Sequence, residues 1–542
     1  VSITYIVPII YLILMLIIGF ILSRKQQSRS DFYVASNQMN SSVLFATIFS
    51  TVVGANTYMG FSGEVYELGF SHIWMLVAAG SAYYVLFFIS GKIRHIAKYH
   101  EVFTLPDMME VRYSRSVAIW TTIFSFIGLI GGAGGSILGI GIILNSTLGI
   151  DTNLAILITA VITIVYTTFG GLMGVAWTDW AQSVIMVLGL ILVVIFGIIL
   201  IEPNLGPVES FTNVTDSLSS HLESGQLSFI KGVTFFIVMG WWLTFLPLNT
   251  ISQTSIQRVY SAKSEKVIKR ISLLMVIFVG LFMSFALALV GIMGKIYLPD
   301  LDNPEAVFPL LALEVVNPWV GIIIVTGILG AAMSTVDSNL LGASIHISRD
   351  VYERYKKGRD EAVSEEQGIK LSRWAIVTLG VISTIAAILT PSIMDLLVGT
   401  MQIFGGATFA PIIAGLYWKR ANSNGALAGI ILGGSSTILA QVLNSEYAVI
   451  IGVIISLVSL VIVSIFTKEE NTLSHVFDFK SITNKDYIAL SFVLLFFVLF
   501  LLGLTSLSLW PILIILALAG MTFALIMMLI LVIPKKEDDN TK

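Results

Sequence analysis

Cysteine is absent from all 542 residues, which excludes a disulfide framework, a thiolate metal site and a cysteine nucleophile. Charge is scarce as well: Asp, Glu, Lys and Arg make up 12 % of the chain while hydrophobic residues reach 56 %, against about 25 % charged residues in an average soluble domain. A soluble globule is excluded. Histidine is sparse and scattered at positions 72, 95, 100, 221, 346 and 475, and no H-E-x-x-H, P-loop or G-x-S-x-G pattern accompanies it, so no enzyme motif is present. The net charge of −3 offers no excess of one sign, and the basic residues form short clusters between apolar runs, so a nucleic-acid partner is not expected.

What the chain does have is long apolar runs. About 20 apolar residues in a helix cross the hydrocarbon and leave no backbone group unpaired in lipid. Fifteen such spans are expected, near 3–23, 41–66, 71–92, 117–147, 152–170, 175–201, 229–249, 270–298, 318–348, 371–390, 394–417, 424–444, 446–467, 486–505 and 508–533. The first reads as a retained helix and not a cleaved signal peptide, because no small-residue cleavage site precedes the next polar stretch. Lys and Arg collect in cytoplasmic loops. Placing the amino terminus outside puts every Lys and Arg except Lys231 and Lys295 on the inner side, and leaves Glu202, Glu209, Asp216, Glu223, Asp300, Asp302 and Glu305 in outer loops. The carboxyl terminus is then cytoplasmic. Short loops suit a bacterial inner (plasma) membrane. A transporter, a channel and a membrane enzyme all remain open, although interrupted helices in one long chain favour a carrier.

Two spans look interrupted. The second contains Ser50-Thr51-Val52-Val53-Gly54-Ala55-Asn56-Thr57, small, β-branched and polar where leucine is usual; unwinding here would free carbonyls for a dehydrated cation, while close helix packing is the alternative reading. The seventh has Gly240-Trp241-Trp242 and Pro247, a second expected weakening. In the ninth, positions 331, 334, 335 and 338 follow i, i+3, i+4, i+7, so the Ala331 carbonyl and the Ser334, Thr335 and Ser338 hydroxyls share a face of hard oxygen donors suited to sodium. The same hydroxyls can instead bond their own i−4 carbonyls. Asp337 is a carboxylate inside a span, at roughly 2.5–3.5 kcal/mol on insertion scales, and Asp179 stands at the cytoplasmic start of the sixth span, where it either caps the helix at the interface or faces the bundle; both mark candidate functional positions.

Over about residues 3–467 the chain resembles the sodium/solute symporter family of bacterial proline, sialic acid and sugar carriers and animal glucose, iodide, monocarboxylate and multivitamin carriers. The likeness is carried by Asp31-Phe32-Tyr33, Gly60 through Gly69, Gly170-Gly171 with Trp177-Thr178-Asp179 and Gln182, Gln257-Arg258 with Ala262-Lys263-Ser264, the Ala331–Ser338 run, and Gly415-Leu416-Tyr417-Trp418-Lys419-Arg420. It implies an all-α polytopic membrane protein with a LeuT-type five-plus-five inverted repeat: an amino-terminal span and linker (1–40), repeats at 41–201 and 229–417, and peripheral carboxyl-terminal helices and tail (424–542). It further implies sodium on the carbonyls of Ser50, Val53 and Ala331 and the hydroxyls of Ser334 and Thr335. The second sodium of some members would fall on Asp179, Ser334, Asp337 and Ser338. A solute pocket is expected beside Asn56, Thr57, Trp241, Trp242, Phe245 and Gln402, with the glycines of 128–135 giving room.

The chain departs from the sugar carriers at Asn56-Thr57 and Phe245, which would leave sugar hydroxyls unpaired. Glu64 and the segment from Gln253 to Arg258 resemble the iodide, monocarboxylate and multivitamin branch, so a small organic anion or amino acid is the expected solute, in a pocket with no basic residue beside it. The partners expected are solute, sodium and lipid, in a monomer or loose dimer. A proton-coupled carrier titrating Asp179 or Asp337, and a solute sensor without net transport, are the rival readings.

Overall fold

The side chain of Asn40 accepts the backbone N–H of Val43 at 3.1 Å and starts the helix on which the fold turns. In the computed structural model, residues 6–14, 17, 33, 39–99, 102–201, 209–210, 213–357 and 363–467 are described, and they are helical apart from connections and one backbone bridge. The helix α1 (Ser41–Val52) ends at Val53–Gly54 and the chain resumes, bent by 52°, as α2 (Asn56–Leu68), whose first six residues form a π-helical turn. The expected break in the second span therefore lies where the small and β-branched residues stand.

Besides short helices at Val214–His221 and Arg354–Lys357, the helices that build the bundle are α3 (Ile73–Tyr99), α4 (Leu105–Arg112), α5 (Arg115–Leu148), α6 (Thr152–Ile201), α7 (Phe235–Ile251), α8 (Gln253–Ser261), α9 (Glu265–Tyr297), α10 (Val307–Val315), α11 (Pro318–Glu353), α12 (Glu365–Leu389), α13 (Ile393–Tyr417), α14 (Ser423–Val442) and α15 (Ala448–Phe466). Ten helical stretches among the described residues are long and apolar enough to cross a membrane, eleven with the α1–α2 pair. Within the most apolar 18-residue stretch of each, 89 % of α5 and 83 % of α11 is buried, against 28 % of α15. The glycine-rich α5 and the hydroxyl-bearing α11 are thus central and α15 is peripheral, so polar atoms on α11 face protein and not lipid.

Two expectations need adjustment. Residues 171–174, read as a connection between the fifth and sixth spans, are helical, and α6 runs 50 residues from Thr152 to Ile201, about 75 Å at 1.5 Å per residue, with two apolar windows. The seventh span continues through Gly240-Trp241-Trp242 and Pro247 and stops only at Ser252. Pro247 removes one donor and leaves the Leu243 carbonyl beside Gly405, where a methyl group would come within 3.1 Å of both that oxygen and the proline ring, so α13 covers the defect and the helix survives it. Ser252 then turns the chain, its hydroxyl accepting the N–H of Ser255 at 3.3 Å as the cap of α8. The last two expected spans, 486–505 and 508–533, lie outside the described residues, as does most of the first.

The two halves are laced together across the break. Met39 donates to the Ser261 carbonyl at 3.0 Å and its own carbonyl accepts from Lys263 at 3.1 Å, forming a parallel bridge between the start of α1 and the end of α8. On the opposite side, the buried Glu305, just before α10, accepts N–H bonds from Ile393 at 2.8 Å and Met394 at 3.3 Å and the Ser392 hydroxyl at 3.0 Å, capping α13 from a distant loop.

Candidate ion and solute site

A helix that stops inside a protein leaves its last carbonyls without N–H partners, and something else must satisfy them. At the end of α1, Val53 bonds back to the Phe49 carbonyl at 2.7 Å, and the Thr57 hydroxyl takes the Val52 carbonyl at 2.7 Å. The Ser50 and Thr51 carbonyls turn to α11, where the Thr335 hydroxyl lies 3.4 and 3.3 Å away and 3.2 Å from the Ala331 carbonyl. These contacts are long for hydroxyl hydrogen bonds, and a single proton cannot serve three acceptors. Ser334, one residue earlier, places its hydroxyl 3.1 Å from that of Ser50 and donates to Asp179 on α6. Ser50, Ala331, Ser334 and Thr335 therefore converge, with the Thr51 carbonyl as an unexpected neighbour. Val53 is fully buried at the break, but its carbonyl makes no bond with either hydroxyl.

Of the four residues considered for a second cation, Asp179 and Ser334 bond each other, while Asp337 and Ser338 each go to a different partner. Asp179 accepts the Thr47 hydroxyl at 2.6 Å as well as that of Ser334, so it belongs with the break. Asp337 accepts the Thr167 hydroxyl of α6, and its other oxygen has no partner among the described residues. Ser338 bonds with Thr51 at 3.0 Å and accepts from the Arg258 guanidinium of α8. Arg258 is only 1 % exposed and also donates to Thr51 at 2.9 Å and to the Thr254 carbonyl at 3.3 Å. A cationic side chain thus reaches one member of the set.

Beside the break runs a cavity of about 70 Å³. Asn56, Thr57, Phe245 and Thr335 line it, and Gly132 of the glycine run opens the α5 wall opposite Asn339. Trp241, Trp242 and Gln402 do not line it: Trp241 stacks edge-on against His72 at 5.3 Å, and Gln402 accepts from Gln441 at 3.1 Å. The expectation that no basic residue stands beside the pocket is overturned, because Arg258 forms part of its wall together with Tyr83 and Asn249. Sequence reading missed Arg258 because α8 looks like a hydrophilic loop between spans, yet every residue of it except Ser255 is buried. The signal available was the short i, i+3, i+4 stripe of Ile256, Val259 and Tyr260, which marks a packed amphipathic helix carrying Arg258 between the spans.

A second polar network, Ser125–His346–Asp350 at 2.8 and 2.6 Å, has the order of a hydrolase triad. All three are buried, none lines the cavity, and Thr104 holds Asp350 at 2.7 Å, so the network ties α5 and α4 to the end of α11 and offers no nucleophile to a substrate.

The model of the sodium:solute symporter family matches residues 32–433, most of the chain. The chain belongs to that family. It is a multi-pass membrane transporter and not an enzyme, and sodium is its coupling ion. This symporter is 26 % identical over 499 residues to sodium/proline symporter 2 of Staphylococcus saprophyticus, covering 86 % of the chain and 93 % of the relative. It is 26 % identical over 453 residues to the sodium/pantothenate symporter of Escherichia coli K12, covering 82 % and 91 %. Its fold is like that of a substrate-bound, outward-open Na+-coupled sialic acid symporter, with a TM-score of 0.72 at 22 % identity over 86 % of this chain and 98 % of that one. It is also like that of Mhp1, a nucleobase-cation-symport-1 family transporter, with a TM-score of 0.54 at 15 % identity over 83 % and 99 %.

Proposed function

We propose that the chain moves a small organic solute, a monocarboxylate-like anion or an amino acid in preference to a sugar, together with sodium by alternating access. Sodium sits among the carbonyls of Ser50, Val53 and Ala331 and the hydroxyls of Ser334 and Thr335, and fixes the end of α1 against α11 so that Asn56, Thr57 and Phe245 form the solute pocket beside it. The observation that carries this reading is the Thr335 hydroxyl lying between three carbonyls from two helices, at distances better suited to sharing a cation than to one hydroxyl bond. Proline and pantothenate, the solutes in the names of the two relatives, both carry a carboxylate, which supports an acid over a hexose.

In this reading the chain has fifteen spans in a five-plus-five inverted repeat (41–201 and 229–417), an outer amino terminus, a cytoplasmic carboxyl terminus in a plasma membrane, and works as a monomer or loose dimer. A second sodium would use Asp179, Ser334, Asp337 and Ser338. One charge crossing 100 mV releases about 2.3 kcal/mol, and a tenfold ion gradient adds about 1.4, together enough to concentrate a net-neutral solute such as an amino-acid zwitterion several hundredfold, whereas a monoanion carried with one sodium moves no net charge and draws on the ion gradient alone. Uptake into proteoliposomes with sodium, lithium or pH gradients imposed separately tests the reading. Sodium-driven uptake that is lost in a Ser334→Ala, Thr335→Ala double variant is expected. Unchanged sodium dependence in that variant removes the site, uptake driven by protons alone points to a proton-coupled carrier, and binding without net uptake points to a sensor.

A further inference from the structure

Among the described residues Arg258 is the largest side chain to be fully buried, and its surroundings do not neutralise it. Its donors meet neutral oxygens: the Thr51 and Ser338 hydroxyls, the Thr254 carbonyl and, at 3.5 Å, the Thr47 hydroxyl. Its Nε has no partner, and no carboxylate comes within 4 Å of it among the described residues. The nearest hydrogen-bonded route to an anion runs through Thr47 to Asp179, which already receives Thr47 and Ser334. A buried guanidinium without a direct counter-ion is costly and favours any anion that can reach it. The cavity supplies a path, since Arg258 lines it together with Tyr83, whose hydroxyl is buried and also has no partner. The rest of the wall is mainly apolar, with Phe61, Met394 and Met401 among its residues.

We propose that Arg258, with the Tyr83 hydroxyl beside it, receives a carboxylate on the transported solute, so that the cavity selects monocarboxylates with an apolar body. The planar fork of arginine matches a carboxylate, and a single buried cation leaves a second carboxylate of a diacid unpaired. The proposal rests on the sodium-symport reading and deepens it. Neutralising Arg258 also frees Asp179 from its relayed attraction to the guanidinium, so carboxylate and sodium each raise the affinity of the other, reciprocally.

The test uses the full purified chain and calorimetric or thermal-shift titration of matched pairs, propionate and propionamide, L-proline and L-prolinamide, pantothenate and pantothenol, with and without sodium. The wild type should prefer the carboxylate member of a bound pair by about tenfold or more, as expected for a charge-assisted contact, and only the carboxylate should lower the sodium midpoint. In Arg258→Gln the preference should disappear, and in Arg258→Lys it should fall between the two. Equal affinity for acid and neutral partner in the wild type overturns the proposal without any variant, as does failure of every monocarboxylate in the panel to bind. A sodium midpoint that shifts in Arg258→Gln while the acid preference stays intact assigns Arg258 to balancing Asp179 and also overturns it. Absence of any sodium effect, in contrast, sinks the symport reading itself.

Discussion

Gly54 faces Thr335 so closely that a methyl group on Gly54 would overlap the threonine hydroxyl and sit 3.4 Å from the Ala331 carbonyl. The second residue past the end of α1 is therefore kept without a side chain by a hydroxyl nearly three hundred positions away. Gly54→Ala must push Thr335 away from the carbonyls of Ser50 and Thr51. Overpacking of this kind costs about 1–3 kcal/mol, so the variant should still insert and fold while sodium-driven uptake falls by at least about tenfold. Uptake against sodium concentration in proteoliposomes, normalised to inserted protein, measures it.

Asp179 and Asp337 are both buried on hydroxyl partners but serve different neighbours, Ser334 and Thr47 in one case and Thr167 in the other. Asp179→Asn should raise the sodium midpoint by about tenfold, because it removes a charge hydrogen-bonded to a candidate ligand. Asp337→Asn should leave that midpoint unchanged if one sodium binds. A sodium titration with a Hill slope of about one in the wild type would agree with this, and a steeper slope lost in Asp337→Asn would favour two ions.

Burial raises Glu305 above its ordinary value of 4.5, while its bonds from Ile393, Met394 and Ser392 pull the other way. Because the folded value lies above the unfolded one, this group contributes most to stability below about pH 4.5, and the contribution is lost as pH rises through the raised value. The melting temperature of the wild type should carry a falling component across that window, and Glu305→Gln should flatten it. An unchanged slope in the variant would assign the pH dependence to other groups.

Asp107 joins several elements at the basic end of the bundle. It accepts the Phe103 N–H at 3.0 Å, Arg354 at 2.8 Å and Arg349 at 3.4 Å, while its own N–H bonds the Thr104 hydroxyl that caps α4. Asp107→Ala removes one acceptor from each of two partly buried arginines, which keep Glu353 at 2.8 Å and Glu110 at 2.9 Å, and should destabilise by about 2 kcal/mol. A clear drop in melting temperature with an unaltered sodium midpoint is expected in detergent. A sodium midpoint that moves instead would connect this network to the ion site.

Much of this architecture can be read before any coordinates. Apolar runs mark the helices because lipid offers no hydrogen bonds, and the small polar stretch 50–57 marks the break because only such residues let a helix end inside protein. Period 3.6 alone puts Ala331, Ser334 and Thr335 on one face. What does not follow from local sequence is which partner claims each polar atom. Ser338 has the same spacing as its neighbours but is taken by Arg258, and Gln402 is polar in an apolar span because Gln441 answers it. Pro247 misleads for a similar reason, since the cover that Gly405 provides for the open Leu243 carbonyl comes from a helix about 160 residues on.

The pair of main-chain bonds joining Met39 to Ser261 and Lys263 bears on how such a carrier can rock. Side-chain contacts can be exchanged as a gate opens, but a main-chain splice of this sort moves as one piece or breaks outright. The foot of α1 and the end of α8, with Arg258 a single turn from the splice, are thus yoked: any tilt of α1 about its foot drags the guanidinium with it, so the proposed sodium and carboxylate positions would ride on the same lever.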